Sequence, residues 1–293
     1  MSETIANLQR KIHSAADLQA VVSTMKAIAT TSIGQYADSV SAQHDYYQSV
    51  ALALMTCLKH SPVDASAHMS AKPRGLAAAV VFGSDQGLVG QFNELLADYV
   101  AHNPSVKAAN TSLWAVGERI QSRLKEYHLP VAGSFALPDS ITAISPLVTE
   151  ILAKMQTLFD TGEINEVYLF HNRPADNGVY EQTWLRLLPL DEDWRANILR
   201  TQWPGKTLPE VLGDTNSTLL SLVHEYLFIT LFRACAESLA SENASRLAAM
   251  HRAEKNIEEL LDGMHQQFHH LRQSRIDEEL FDLVSGAEAL RSN

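Results

Sequence analysis

The sequence predicts an α/β domain with a long antiparallel coiled coil formed by the N- and C-terminal helices. All ten prolines lie between Pro62 and Pro209. The flanks outside them also contain few glycines, so long helices can form there. The middle alternates short apolar runs with amphipathic stretches, as an α/β domain does. We therefore predict an N-terminal coiled-coil helix (residues 1–60), a Rossmann-like α/β domain (61–215) and a C-terminal coiled-coil helix (216–293).

The C-terminal part has the clearest helical periodicity. Seam residues recur at alternating steps of three and four, and they are Leu247, Met250, Glu254, Ile257, Leu261, Met264, Phe268 and Leu271. This heptad spacing winds one helix around another. It predicts a helix from about residue 216 to 283, with Gly286 as its stop.

The N-terminal part supplies a seam for that helix to pair with. Its members are Leu18, Val22, Met25, Ala29, Ser32 and Tyr36, preceded by Ile5, Leu8 and Ile12. They predict a helix from about residue 3 to 58. Helices from opposite ends of one chain can pair in antiparallel fashion. The alternative is two amphipathic helices that pack separately on a globular core.

The middle of the chain predicts a mostly parallel sheet with helices on its faces. Apolar or alternating runs predict strands at 76–82, 112–116, 166–170 and 180–188, and amphipathic runs predict helices near 92–102, 118–127 and 145–160. Linkers rich in proline, glycine or small polar residues are predicted near 61–74 and 203–215.

Composition excludes several classes of protein. The 23 Lys and Arg against 34 Asp and Glu give a net charge of −11, which argues against nucleic-acid binding. No uninterrupted run of 18 apolar residues is present, so we predict no membrane span. The N-terminus lacks the pattern of a secretory signal. Cys57 and Cys235 form neither a disulfide framework nor a zinc motif, and a cytosolic protein is predicted.

The segment Gly83–Gly90 is the one candidate for a phosphate site. A glycine-rich turn that follows a strand and opens a helix often holds nucleotide phosphates. Here Asp85 stands where a dinucleotide fingerprint requires glycine, and the Lys-Ser/Thr pair of a Walker loop is missing. A structural turn is therefore the favoured interpretation.

Two histidines, His265 and His269, are spaced four apart and could share a metal on a helix. Without a third clear ligand, a solvated surface is the favoured interpretation. No nucleophile motif surrounds Cys57, Cys235 or any serine. We predict no catalytic residue, no metal site and no cofactor.

Three stretches of the chain share one resemblance: NLQRKIHSAADLQAVVSTMKAIA (7–29), LASENASRLAAM (239–250) and LRQSRIDEELFDLVSGAEAL (271–290). The last stretch follows the form Arg-Gln-x-x-Ile-Thr-x-Glu-Leu, later followed by Ser-Gly-Ala, with aspartate at the threonine position. The corresponding residues are Arg272, Gln273, Ile276, Asp277, Glu279, Leu280, Ser285, Gly286 and Ala287. Together they resemble the gamma subunit of F-type ATP synthases, the central rotor shaft. The segment 85–93 resembles the family's Asp-Arg-Gly-Leu-Cys-Gly-Gly-x-Asn loop.

The resemblance implies a non-catalytic subunit that couples rotation to ATP synthesis or hydrolysis and to the translocation of H⁺ or Na⁺. It implies as partners the alpha and beta subunits of the catalytic head, the epsilon subunit and the membrane c-ring, with a peripheral location on the cytoplasmic side of the inner membrane. The implied contact residues are Met25, Arg272, Gln273, Asp277 and Glu279, and the implied apolar tip comprises Leu280, Phe281, Leu283 and Val284.

Several positions depart from the family pattern. Residues 20–25 read AVVSTM where the family has Lys-Ile-Thr-Lys-Ala-Met, usual basic residues are replaced by Thr31, Ser32, Ile33 and Gln35, and Asp277 replaces a threonine. These departures indicate a divergent branch, for which a second, Na⁺-type F-ATPase is a candidate. Two alternative functions are a non-rotary coiled-coil scaffold or adaptor and a Rossmann-like nucleotide-binding enzyme.

Overall fold

The computed structural model describes residues 4–60, 76–108, 111–175, 179–207 and 209–291. Its contacts divide the chain into two compact units: unit 1 is Met1–Ile28 with Leu247–Asn293, and unit 2 is Ala29–Arg246. Helices α1 (Ile5–His60) and α7 (Thr215–Arg291) contribute to both units. The predicted division into three parts stays a prediction, and the predicted linker at 61–74 lies outside the described residues.

The two terminal helices begin and end near their predicted bounds, with one exception. Helix α7 continues through Gly286 to Arg291, so the prediction that this glycine stops the helix is wrong. A single glycine costs a helix only about 1 kcal/mol relative to alanine. That cost weakens a long helix locally without ending it.

Unit 1 is an antiparallel pair of helical segments. One apolar cluster combines the start of α1 with a late part of α7: Leu8, Ile12, Ala15, Leu261, Met264, Phe268 and Leu271. Further along α1, Lys26 forms an ion pair with Glu254, which lies earlier in α7. Residue numbers therefore rise along one helix as they fall along the other. The predicted antiparallel coiled coil is confirmed.

The phase of the α1 seam differs from the predicted one. Leu18, predicted to be in the seam, is 58% exposed, whereas Gln19 and Lys26 are half-buried. The buried line runs Leu8, Ile12, Ala15, Gln19, Val22 and Lys26, in steps of four and three. The prediction followed apolar residues and broke the helical phase after Ile12. The structure keeps the phase and accepts two polar residues in the seam.

Unit 2 is built on a five-stranded sheet. Its strands are β1 (Leu76–Phe82), β2 (Ser112–Val116), β3 (Val131–Phe135), β4 (Ile164–Arg173) and β5 (Glu181–Leu188), in the order β3-β2-β1-β4-β5. All neighbouring pairs are parallel except β4 with β5. The predicted mostly parallel sheet is confirmed.

Helices cover both faces of the sheet, as the run LAAAVVF in β1 requires. Ala78, Val80 and Phe82 point into a cluster with residues of α5 (Ile141–Asp160) and α7. Ala77, Ala79 and Val81 point into a second cluster with α2 (Phe92–His102) and α4 (Glu118–Glu126). A strand buried on both sides is apolar throughout, which is why its bounds were predicted correctly.

Three short elements were not predicted: α3 (Pro104–Ala108), β3 and α6 (Glu192–Leu199). The edge strand β3 reads VAGSF and is only partly buried, so neither alternation nor a long apolar run marks it. Helix α6 begins after Asp191, whose Oδ1 accepts a hydrogen bond from the amide of Trp194 at 2.9 Å.

Among the described residues, α7 includes one stretch that is long and apolar enough to cross a membrane by length and composition alone. The sequence predicted no such stretch. Within α7, Leu219 and Ile229 are buried in one core cluster, and Leu231 and Phe232 are buried in another. Core packing accounts for the apolar composition of these residues.

Candidate functional site

The glycine turn after β1 satisfies its polar groups internally. The side chain of Asn93 accepts a hydrogen bond from the Ser84 amide at 3.0 Å and donates one to the Ser84 hydroxyl at 2.8 Å. Asp85 Oδ1 accepts from the amide of Glu118 at 2.7 Å, at the start of α4. Groups that could bind a phosphate are thus engaged in holding the turn to α2 and α4.

Two glycines permit this close packing. A Cβ added to Gly83 would lie 2.2 Å from Ile120 Cβ, and one added to Gly117 would lie 2.8 Å from the Ser84 carbonyl oxygen. Gly117 also has a φ of +109°, which favours glycine. Protein atoms thus occupy the space in which a nucleotide would have to approach the backbone. The geometry accounts for Gly83–Gly90 as a structural turn.

Helix α7 covers the carboxyl edge of the sheet, where α/β proteins usually bind ligands. The Ser238 hydroxyl donates to the Phe82 carbonyl at 3.1 Å, at the end of β1. The Ser245 hydroxyl donates to the Val89 carbonyl at 2.6 Å, within the glycine turn. The edge is thus joined to α7 by direct hydrogen bonds.

A buried charged group lies at the end of β4. His171 Nε2 is 3.0 Å from Glu237 Oε2, and Arg233 Nε donates to Glu237 Oε1 at 2.7 Å. Burial raises the pKa of Glu237, but the hydrogen bonds from His171 and Arg233 outweigh it and leave that pKa lowered. Glu237 is therefore an ionised carboxylate that joins α7 to the sheet.

Glu242 is a second buried carboxyl on α7, and Arg246 donates to it. Burial raises the pKa of Glu242, Asp85 raises it further, and Arg246 opposes both. Cys57 and Cys235 are buried free thiols whose pKa values are raised by desolvation. Thiols that ionise less readily are poor nucleophiles at neutral pH.

The predicted histidine pair lies on the surface of unit 1. His265 and His269 are both exposed on α7. Within the part of the chain that the structure describes, no three His, Cys, Asp or Glu residues are arranged to hold a metal ion.

The proposed contact residues fall into two places within unit 1. Arg272, Gln273, Asp277 and Glu279 are exposed on α7, where Arg275 Nε donates to Glu279 Oε1 at 3.1 Å. Met25 is half-buried beside Lys26, which pairs with Glu254. Eighteen residues separate Glu254 from Arg272, or about 27 Å along a helix. The structure therefore does not bring Met25 together with the other four.

The end of α7 presents apolar side chains to solvent. Leu280, Phe281, Leu283 and Val284 are 57%, 71%, 75% and 47% exposed. They do not continue the seam, because steps of four and three from Phe268 and Leu271 lead to Arg275, Glu278 and Asp282. The pairing of Lys26 with Glu254 also places residue 5, where α1 begins, opposite residue 275. The apolar end thus lies beyond the helical pairing.

Sequence reasoning missed two features of this arrangement. One is the Lys26–Glu254 pair, which a correct helical phase from Leu8 would have placed in the seam. The other is the set of buried polar residues on α7 between 237 and 245. The motif LASENASRL contains most of them, but serines, glutamate and asparagine on a helix indicate a solvated face unless the fold is known.

Comparisons with known proteins match the whole chain. The family model described as ATP synthase matches residues 4–290. A gamma chain of Acetobacterium woodii ATP synthase, described as sodium ion specific, is 24% identical and aligns over 99% of this chain and all of its own length. The ATP synthase gamma chain of Pseudarthrobacter chlorophenolicus is 28% identical over all of both chains.

Solved structures share the fold. A chain of the Euglena gracilis mitochondrial ATP synthase rotor superposes with a TM-score of 0.59 at 18% identity, over 93% of this chain and 98% of its own. In another rotational state of that synthase the TM-score is 0.64 at 14% identity, over 98% and 95%. The family match over residues 4–290 and the full-length gamma-chain relatives establish that the chain belongs to the ATP synthase gamma family, the non-catalytic central-stalk subunits of rotary F-type ATP synthases.

Proposed function

We propose that this gamma subunit is the turning shaft of its complex and that the end of α7 seats in an apolar sleeve formed by the alpha and beta subunits. The apolar end carries the proposal. Its four large side chains are exposed, lie outside the seam phase and extend past the first residue of α1. Contiguous exposed apolar surface in a soluble protein marks an interaction site.

An apolar end suits a bearing. A fixed ion pair would have to break at every step of rotation, whereas dispersion contacts are individually small and re-form at each position. Of the charged residues in this stretch, Arg275, Glu278 and Asp282 lie on the opposite side of the helix, and Asp277 lies one turn before Leu280 and Phe281. The sleeve would meet Leu280 and Leu283, and the charged side would face water or the rim of the sleeve.

The remaining contacts follow from the gamma family. We assign Arg272, Gln273, Asp277 and Glu279 to a loop of a catalytic subunit, because all four are exposed on the same part of α7. Met25, on the other helix, would lie near the acidic lever of the catalytic subunits. The α/β domain would bind the epsilon subunit and the c-ring, on the cytoplasmic side of the membrane and without spanning it. The ring would select Na⁺ or H⁺.

Two variants with the same change in net charge test the bearing. Leu283→Lys with Val284→Lys adds two positive charges to the apolar side, and Asp282→Lys changes the charge by two on the polar side. We expect the double variant to lose assembly with the head, or ATP-driven ion pumping in the reconstituted complex, while Asp282→Lys retains both. Thermal unfolding of the free subunit checks that each variant folds. Normal assembly and pumping by the double variant would refute the bearing.

The nucleotide-binding alternative has its own test. The purified chain, free of other subunits, should not turn over ATP, because the glycine turn is filled by Asn93 and Ile120 and lacks a Walker lysine. Sustained hydrolysis that follows the chain through purification, and disappears with substitutions in the turn, would favour the enzyme instead.

A further inference from the structure

Helix α7 changes character abruptly within unit 2. Up to residue 236 its buried positions are apolar, among them Ile229, Leu231 and Phe232. Six of the nine residues from 237 to 245 are then polar and buried: Glu237, Ser238, Ser241, Glu242, Asn243 and Ser245. Burying a polar group is unfavourable unless a partner compensates, so this density requires an explanation.

Three of the six residues bond to groups outside the helix. Glu237 reaches His171 on β4, Ser238 reaches the carbonyl of Phe82, and Ser245 reaches the carbonyl of Val89. We name Glu237, Ser238 and Ser245 the α7 grip. Its three contacts lie on β4, at the end of β1 and in the glycine turn, and so follow the carboxyl edge of the sheet.

Such contacts hold a helix differently from apolar packing. A hydrogen bond weakens steeply once its angle falls, and the 2.6 and 3.1 Å bonds of Ser245 and Ser238 both go to backbone carbonyls that cannot move independently. Contacts between apolar side chains are individually small and have no preferred direction. The grip therefore adds a directional resistance to rotation of α7 about its own axis against the sheet, beyond that of the neighbouring apolar cluster.

We propose that the α7 grip is the place where torque passes between the α/β domain and the shaft helix, with Glu237, Ser238 and Ser245 as positioning residues for coupling. This inference rests on the proposed rotary function. In a shaft driven from one end, the helix must turn with the domain that drives it. Loss of the grip would let α7 twist under load while the protein remains folded.

Ser241 provides a matched control on the same helix. It is fully buried, like its neighbours, but among the described residues its hydroxyl has no hydrogen-bond partner. Ser241→Ala therefore removes a buried hydroxyl that makes no hydrogen bond to the described residues. The double variant Ser238→Ala/Ser245→Ala removes two hydroxyls that donate hydrogen bonds to backbone carbonyls outside the helix. Each of the two substitutions should lower the folded-to-unfolded ratio about fivefold. Glu237→Gln keeps the shape of the side chain and removes its charge.

The experiment compares ions pumped per ATP hydrolysed in the reconstituted complex. We expect a lower ratio for the Ser238→Ala/Ser245→Ala variant, a smaller loss for Glu237→Gln, and the wild-type ratio for Ser241→Ala. If the double variant does not assemble, Glu237→Gln and the two single serine variants supply the comparison. A wild-type ratio in every grip variant, or an equal loss in Ser241→Ala, overturns the proposal. A wild-type complex that pumps nothing refutes the rotary function itself.

Discussion

The ion pair in the coiled-coil seam gives a prediction with a magnitude. Lys26 and Glu254 retain 21% and 32% of their side-chain exposure, so the pair is intermediate between the surface and the core. Exposed pairs contribute at most about 1 kcal/mol, and removing one partner of a buried pair costs about 3–5 kcal/mol. We expect Lys26→Met to cost about 2 kcal/mol, with a coupling energy between the two residues of about 1 kcal/mol.

A double-mutant cycle measures that coupling. Lys26→Met, Glu254→Gln and their combination would be compared by amide hydrogen exchange in the coiled-coil part of α7, which reports local opening. The reversed pair Lys26→Glu/Glu254→Lys should recover most of the loss. Lys255 and Glu259, which are 3.9 Å apart and 77% and 68% exposed, form the control pair. Our reasoning fails if the coupling of Lys26 with Glu254 is no larger than that of the control.

Three further predictions concern the backbone, pH and the pairing of the termini. Gly117→Ala should destabilise unit 2 by more than about 1 kcal/mol, because Gly117 has a φ of +109° and an added Cβ would lie 2.8 Å from a backbone oxygen. Gly263 lies in a helix with open space around it, so Gly263→Ala should stabilise the protein by about 0.5–1 kcal/mol. Chemical denaturation measures both changes in unfolding free energy. Because the pKa of Glu237 is lowered in the folded state, its stabilising effect is present above the ordinary glutamate pKa of about 4.3 and is lost as the pH falls through the folded value. The unfolding free energies of wild type and Glu237→Gln should thus converge as the pH falls below about 4.3. Deleting residues 1–30 should expose the seam Leu247–Leu271 and cause aggregation; unchanged helicity and solubility would contradict the paired-helix arrangement.

The sequence predicted best where one strong signal decides local structure. The distribution of proline marked both long helices, and LAAAVVF marked β1 because a strand buried on both faces must be apolar throughout. Helix phase was predicted less well. Leu18 was chosen over Gln19 on hydrophobicity, yet the geometry of a continuous helix placed Leu18 outside the seam. Edge strand β3 carried too weak a pattern to be found.

The polar contacts of α7 could not be predicted for a different reason. Ser238 and Ser245 bond to carbonyls that lie 156 residues away in the chain, and nothing local distinguishes them from solvated serines. Ser241, in the same motif, has no partner among the described residues. Only the three-dimensional arrangement at the carboxyl edge of the sheet distinguishes Ser238 and Ser245, which bond to it, from Ser241, which does not. The sequence shows that Leu280, Phe281, Leu283 and Val284 are apolar, but only the structure shows that they are exposed.

Two kinds of contact are thus kept apart on one helix. At the carboxyl edge of the sheet, buried hydrogen bonds of fixed geometry join α7 to backbone carbonyls, and near its end four large apolar side chains are exposed. Under the proposed function a shaft would need both properties, since it would have to turn with the α/β domain and rotate freely within the proposed sleeve. The two sets of variants should therefore fail differently. Changes at Leu283 and Val284 should weaken assembly with the head, whereas changes at Ser238 and Ser245 should leave assembly intact and lower the ions pumped per ATP.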